Sequence, residues 1–163
     1  MVEFVLRDGT LRGAGLILRA ARGRGGITTQ KREGDGGTPA GLLRLMRVLY
    51  RADRIAPPRC GVPLEPISPH DGWCDDPADA AYNKPVRLPC PASHEELWRA
   101  DGVYDVIGVL DWNLRPIVPG CGSAIFFHVA TPDYAPTAGC VALSLPDVLA
   151  ALAAGMSGIR VVG

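Results

Sequence analysis

Residues 123–144 read SAIFFHVATPDYAPTAGCVALS, and this stretch decides the fold. Its first eight residues form a nearly continuous apolar run that predicts a fully buried strand, which ends close to His128. The eleven residues that separate His128 from Cys140 include two prolines and a Pro-Asp pair, which favour turns. A return of the chain through this segment would bring Cys140 beside the end of the strand that carries His128.

Upstream of this stretch, the pattern predicts strands joined by irregular loops. Val2–Leu6 and Leu16–Leu18 are read as two antiparallel strands, because Asp8-Gly9 is a turn signal. Residues 22–41 contain many glycines beside charged residues and are predicted to be a loop. Residues 42–51 fit a helix and a strand equally well, since arginines recur at helical spacing after a glycine that weakens a helix.

The remaining elements complete a mainly β prediction with two or three short helices. Residues 56–91 are predicted to be a long irregular insertion, and residues 103–110 and 159–162 to be strands. Capping signatures predict helices from Ser93 through Trp98 and from Ser144 to Ala154. The whole chain, residues 1–163, is expected to form one domain.

Composition excludes several classes of function. The chain has 163 residues, with 17 basic and 17 acidic side chains, so no net charge favours a nucleic acid or an anionic lipid as partner. It has no apolar run long enough to span a bilayer, and its first ten residues lack the pattern of a signal peptide, so it is expected to be soluble and unsecreted. Its five cysteines are an odd count, so at least one thiol has no partner within the chain.

Cys140 and His128 are the candidate catalytic pair. A cysteine attacks a carbonyl as its thiolate, and a nearby imidazole can take the proton. Gly139 would let a substrate carbonyl approach the backbone, where the amides of Gly139 and Cys140 could stabilise an oxyanion. On the residues alone, a buried structural thiol and a core histidine remain the alternative.

The order of these residues resembles the signature of the YkuD-type L,D-transpeptidase domain. That signature is a histidine, a loop of ten to twenty residues, and then Ser/Thr-x-Gly-Cys, which stands here as His128 and Thr137-Ala138-Gly139-Cys140. Gly36–Gly41 also resembles the Thr-Pro-x-Gly turn that precedes a strand in that family, which would make residues 42–50 a strand. The resemblance covers Gly26 to Val162 and implies a β-sandwich-like catalytic domain.

Two departures from the family pattern bear on substrate selection. Ala138 stands where the family usually has histidine, and Ala142 where it has arginine. The loss of that guanidinium removes a group that would hold a substrate carboxylate. The basic groups considered as replacements, each also readable as a solvated surface charge, are Lys31 and Arg32 with Asp35, Arg44 and Arg51.

The long insertion supplies further candidates for substrate binding. A cluster of aromatic and polar residues there could form a wall or lid over the site, or could simply pack the loop: Trp73, Asp75, Asp76, Tyr82 and Asn83. Together with Arg32 and Thr137, these residues (Asp76 excepted) are the predicted substrate-binding set. His70 lies near Cys74 and Asp75, but their spacing is not that of a zinc site, so no metal is expected.

The resemblance implies peptidoglycan L,D-transpeptidase activity without any cofactor. Cys140 would form a thioester with a donor stem peptide, and an acceptor amine would resolve it into a 3-3 or 1-3 cross-link. Carbapenem-type inhibitors would acylate Cys140, and the substrate would lie in the periplasm or cell envelope, although the missing signal peptide leaves the cytoplasm possible. The alternatives are an L,D-carboxypeptidase or peptidase with the same site, and a non-catalytic peptidoglycan-binding module.

Overall fold

The computed structural model describes all 163 residues as a mainly β protein with one helix. The strands are β1 Val2–Arg7, β2 Thr10–Gly13, β3 Leu16–Arg19, β4 Ile27–Thr28, β5 Thr38–Pro39, β6 Gly41–Tyr50, β7 Leu64–Pro66, β8 Asp71–Cys74, β9 Pro85–Arg87, β10 His94–Glu96, β11 Val106–Leu110, β12 Phe126–Val129, β13 Val141–Leu143 and β14 Met156–Val161. The helix, α1, spans Leu145–Ala153. No helix of the protein combines the length and the apolar character needed to cross a membrane.

Nine strands form one large sheet whose two edges meet. Its order is β13-β12-β11-β6-β14-β1-β2-β3, with β7 paired to β6. Two residues beyond β3, Ala21 exchanges backbone hydrogen bonds of 2.8 and 3.0 Å with Ala142 of β13. This bridge joins the segment after β3, at one end of the sheet, to β13 at the other end, so the sheet curls into a nearly closed, barrel-like form. The prediction of a mainly β, sandwich-like domain is confirmed.

Strands β11 and β12 divide the core into two clusters. Because successive side chains of a strand point to opposite faces, Phe127 packs in a cluster of 21 buried residues inside the curled sheet, under α1. Phe126 packs on the other face, in a cluster of 10 buried residues to which the insertion contributes Ile67 and Trp73. The insertion therefore covers the outer face of β12, the face that also bears His128.

Residues 42–50 are a strand, as the resemblance implied. Leu43 and Leu45 are buried at the two-residue spacing of a regular strand, but the next buried residue, Val48, follows three positions later. The spacing changes because the pairing with β11 shifts register between Val109 and Leu110. A shift of this kind breaks the regular alternation of a strand. It explains why the sequence of this segment fits a helix and a strand equally well.

Other predictions also differ from the structure, which has one helix where two or three were predicted and three short strands, β7, β8 and β9, within the insertion predicted to be irregular. The helix from Ser93 is wrong: residues 94–96 form β10, which pairs with β8, and the Ser93 hydroxyl donates to Asp75 Oδ1 at 2.6 Å. Strand pairing with the insertion thus overrides a local capping signal. The N-terminal pair of strands is a three-stranded meander, since the short β2 lies between β1 and β3. The helix after Ser144 is confirmed, with Ser144 Oγ accepting from the Asp147 amide.

Truncation of an apolar side chain to alanine should lower stability far more in the inner cluster than on the surface. Phe127 is fully buried, and Phe127→Ala should lower the free energy of unfolding by about 3–5 kcal/mol through lost burial and cavity formation. Ile17 is 66% exposed, and Ile17→Ala should change it by less than about 0.5 kcal/mol. Denaturant unfolding of both variants measures this, and equal losses would contradict the packing described.

Candidate active site

The parallel pairing of β12 with β13 brings His128 and Cys140 to the same face of the sheet. His128 is paired with Ala142, and Phe127 with Val141, so Cys140 lies opposite Phe126. Opposed residues of neighbouring strands project to one side, and residues two apart share a face, so Cys140 and His128 are diagonal neighbours. Both side chains line one cleft of about 320 Å³. Cys140 and His128 therefore border the same cleft from one face of the sheet.

The Cys140 thiol is buried and held in its protonated form. Its Sγ donates to the Ala124 carbonyl at 3.2 Å and accepts from the Phe126 amide at 3.3 Å. The residue is only 7% exposed. Burial, together with the negative charge of Glu95, raises the pKa of Cys140 to about 12. The thiol is therefore neutral at physiological pH.

His128 is also neutral, and its free nitrogen is the one suited to accept a proton. Its Nδ1 lies 2.9 Å from the Val129 carbonyl, and because a carbonyl can only accept, Nδ1 carries the hydrogen. The lone pair is then on Nε2. Burial lowers the pKa of His128 to about 4. Tyr104 meets the imidazole edge to face, with ring centroids 5.3 Å apart, and fixes its orientation.

Hydrogen bonds hold the turn that carries Cys140 in one conformation. Thr137 Oγ1 donates to the Cys140 carbonyl at 2.7 Å and accepts from the Gly139 amide at 3.1 Å. Gly139 has φ +141°, and a Cβ on it would lie 2.8 Å from the Gly37 carbonyl oxygen, so the position requires glycine.

One part of the predicted role of Gly139 is corrected by this geometry. Its amide is already engaged by Thr137 Oγ1, and it is therefore not a free donor for an oxyanion. The Cys140 amide, in contrast, takes part in none of the backbone hydrogen bonds outside the helix and strands. Of the two amides proposed, that of Cys140 is the one left available.

The glycine-rich loop supports this turn from behind. Thr38 is fully buried, and its hydroxyl donates to the Gly139 carbonyl and accepts from the Gly23 amide, both at 2.8 Å. Backbone hydrogen bonds also link Arg24 N to Thr137 O and Thr137 N to Arg22 O. The glycine-rich loop thus supports the turn that carries Cys140.

Both signs of charge line the cleft, but the cations are largely neutralised already. Its ionisable lining residues, apart from the catalytic pair and Tyr104, are Arg24, Lys31, Arg99, Glu33, Asp75 and Glu95. Lys31 Nζ pairs with Asp35 at 2.6 Å, and Arg99 pairs with Asp101 at 2.6 Å. The three carboxylates accept hydrogen bonds from hydroxyl groups and belong to no ion pair.

The predicted substrate-binding residues divide into two groups. Asp75 and Thr137 line the cleft. Trp73, Tyr82 and Asn83 do not, because each is 2% exposed and lies behind the wall. These three side chains support the wall of the cleft from behind and do not face a ligand in it.

These three buried side chains hold the cleft wall together. Trp73 Nε1 donates to Asn83 Oδ1 at 2.9 Å, which also accepts from the Ala124 amide at 3.0 Å. The Tyr82 hydroxyl donates to Glu33 at 2.7 Å and accepts from the Gly122 amide at 3.0 Å. They fix the segment whose Ala124 carbonyl receives the thiol hydrogen.

Arg32 also lies outside the cleft. Its guanidinium lies 3.5 Å from Cys121 Sγ on a neighbouring loop, while the adjacent Lys31 faces inward. Arg44 and Arg51 are likewise absent from the lining; Arg51 instead stacks on Trp98, 3.6 Å from the ring centroid. No group of three or more His, Cys, Asp or Glu side chains is arranged to hold a metal ion, and all five cysteines are free.

Sequence reasoning missed Arg24, Glu33, Glu95, Arg99, Tyr104 and Ser123, all of which line the cleft. Glu95 was interpreted as part of a helix cap, and nothing in the local pattern marks the others. Their position depends on how the insertion and the glycine-rich loop dock on the sheet.

Comparisons with known proteins identify the family to which the chain belongs. Among solved structures, the chain is similar to a crystal structure of L,D-transpeptidase 1 from Mycobacterium tuberculosis, with 14% sequence identity and a TM-score of 0.43 over 99% of this chain. It spans 59% of the length of that protein. A search of curated proteins finds no significant match. The sequence model of the YkuD family, described as the L,D-transpeptidase catalytic domain, matches residues 2–161, and the chain therefore belongs to that family.

Proposed function

We propose that this protein is a peptidoglycan L,D-transpeptidase with Cys140 as nucleophile and His128 as base. The observation that carries the proposal is the arrangement of these two side chains in one cleft, with the hydrogen of His128 on Nδ1 and its lone pair on Nε2. The proposed substrates are stem peptides, as donor and acceptor, and the proposed place of action is the cell envelope.

The first step is acylation of Cys140. Sγ attacks a carbonyl of the donor stem while His128 Nε2 takes its proton, and the expelled terminal residue leaves with that proton on its amine. The Cys140 amide is the proposed donor to the oxyanion. In the second step, an acceptor amine attacks the thioester and loses its proton to His128. The departing sulfur then takes this proton and becomes the Cys140 thiol again.

Attack and proton transfer must be coupled in this site. The pKa values of about 12 for Cys140 and about 4 for His128 mean that a resting thiolate and imidazolium pair is strongly disfavoured. The substrate carbonyl receives the negative charge as it develops, so a separate thiolate need not accumulate. The same geometry would serve hydrolysis if water replaced the acceptor amine.

Cys140→Ala should remove all acyl transfer while leaving the fold intact, because alanine occupies less volume in the same buried position. Cys121→Ser is the matched control and should retain activity, since Cys121 lies outside the cleft lining. Mass analysis of donor and acceptor stem peptides after incubation measures the cross-linked product. Cross-linking by the Cys140→Ala protein would refute the mechanism.

The state of His128 predicts a pH dependence of stability. The pKa of His128 is about 4 in the folded protein against 6.5 ordinarily, so between these values the unfolded chain binds the additional proton. Stability should therefore fall as the pH is lowered from about 6.5 to 4, by on the order of 3 kcal/mol at most. Denaturant unfolding across this range should show that His128→Gln lacks this part of the loss.

His70→Gln is the matched control for that measurement, because His70 is exposed on the insertion. It should keep the pH profile of the unmodified protein. Identical profiles for the unmodified and His128→Gln proteins would contradict a neutral, buried base.

A further inference from the structure

Glu95 is the carboxylate most closely coupled to the nucleophile. It lies on β10, opposite Trp73 of β8, and its side chain lines the same cleft as Cys140. Apart from burial, its charge is the leading cause that raises the pKa of Cys140. The mechanism above gives Glu95 no role, although its negative charge opposes formation of the thiolate.

The structure holds this carboxylate in place without an ion pair, and burial raises the pKa of Glu95 above its ordinary value. The Tyr104 hydroxyl donates to both carboxylate oxygens, at 3.1 and 3.2 Å, and the ring of Tyr104 contacts His128. None of the six ion pairs of the protein includes Glu95. Arg99, whose charge reaches Glu95, is paired with Asp101 instead.

The elements around the thiol present four titratable or charged groups, Lys31, His128, Tyr104 and Glu95. The glycine-rich loop presents Lys31, which favours the thiolate but is already paired with Asp35. Strand β12 presents His128, which is neutral, and the segment before β11 presents the Tyr104 hydroxyl, whose pKa burial raises well above its ordinary value. Glu95 is thus left as the uncompensated charge beside Cys140.

We propose that Glu95 receives a cationic group of the substrate, so that a ligand with an ammonium group beside its reactive carbonyl cancels the charge that faces Cys140. The inference rests on the proposed acyl transfer and names the substrate feature that the cleft selects. Lining carboxylates that belong to no ion pair, against one unpaired cation at Arg24, give the cleft the complementary charge. Selection of the substrate and activation of the nucleophile would then share one residue.

The first test measures Cys140 alone and needs no acyl transfer. The rate of alkylation of Cys140 by iodoacetamide is followed from about pH 7 to 10, with peptide mapping to separate the five cysteines. Glu95→Gln should speed the reaction roughly tenfold at about pH 8, since removal of the opposing charge lowers the pKa of the thiol. Glu96→Gln is the matched control, because Glu96 is exposed and absent from the lining, and it should leave the rate unchanged.

The second test measures selection of the ligand. Two stem-like peptides are titrated into the Cys140→Ala protein, one with a free side-chain amine beside the reactive carbonyl and one with that amine acetylated. The free amine should bind about tenfold more tightly, and the further change Glu95→Gln should abolish the difference. The comparison of the two peptides on the protein with Glu95 intact does not depend on the folding of any Glu95 variant.

The outcomes separate the two proposals. Equal affinity for the two peptides, or an alkylation profile of Glu95→Gln equal to that of the Glu96→Gln control, would overturn the role of Glu95. If neither peptide binds, the transpeptidase proposal fails, and the alkylation profile alone then decides whether Glu95 controls the charge at Cys140.

Discussion

The parallel pairing of two short buried strands is the constraint on which the site depends. Because β12 and β13 run side by side in one register, the imidazole of His128 and the thiol of Cys140 share a face of the sheet. A slip of one residue would turn one of the two side chains to the opposite face. The bridge between Ala21 and Ala142 and the hydroxyl of Thr38 prevent such a slip from outside the two strands.

Burial then sets the chemistry that this geometry permits. The insertion covers the outer face of β12, where desolvation keeps both Cys140 and His128 uncharged. A neutral thiol is a poor nucleophile, so reaction at Cys140 requires that its proton be removed as the new bond forms. The departures from the family pattern, Ala138 and Ala142, fit a site whose polar groups come from the insertion and the glycine-rich loop instead.

The sequence predicted those parts of the fold that depend on local pattern. The apolar run around Phe126 indicated a buried strand, and Ser144 with Asp147 indicated the helix that follows β13. Where tertiary pairing decides, pattern failed: Ser93 looks like a helix cap, but its segment pairs with β8, and a register shift in β6 disguised a strand. His128 and Cys140 could be identified as a candidate pair from the sequence because both residues flank one turn. Glu33 and Glu95 could not be identified in this way, because they reach the cleft only through the docking of distant loops.

The reaction of Cys140 with a carbapenem tests most directly the proposal that its thiol is an acyl-accepting nucleophile. Opening of the β-lactam ring by Sγ would leave the whole inhibitor bound as a thioester. Intact mass should then increase by the mass of one inhibitor, and peptide mapping should place the adduct on Cys140. Absence of any adduct, or an adduct confined to the other four cysteines, would contradict the account.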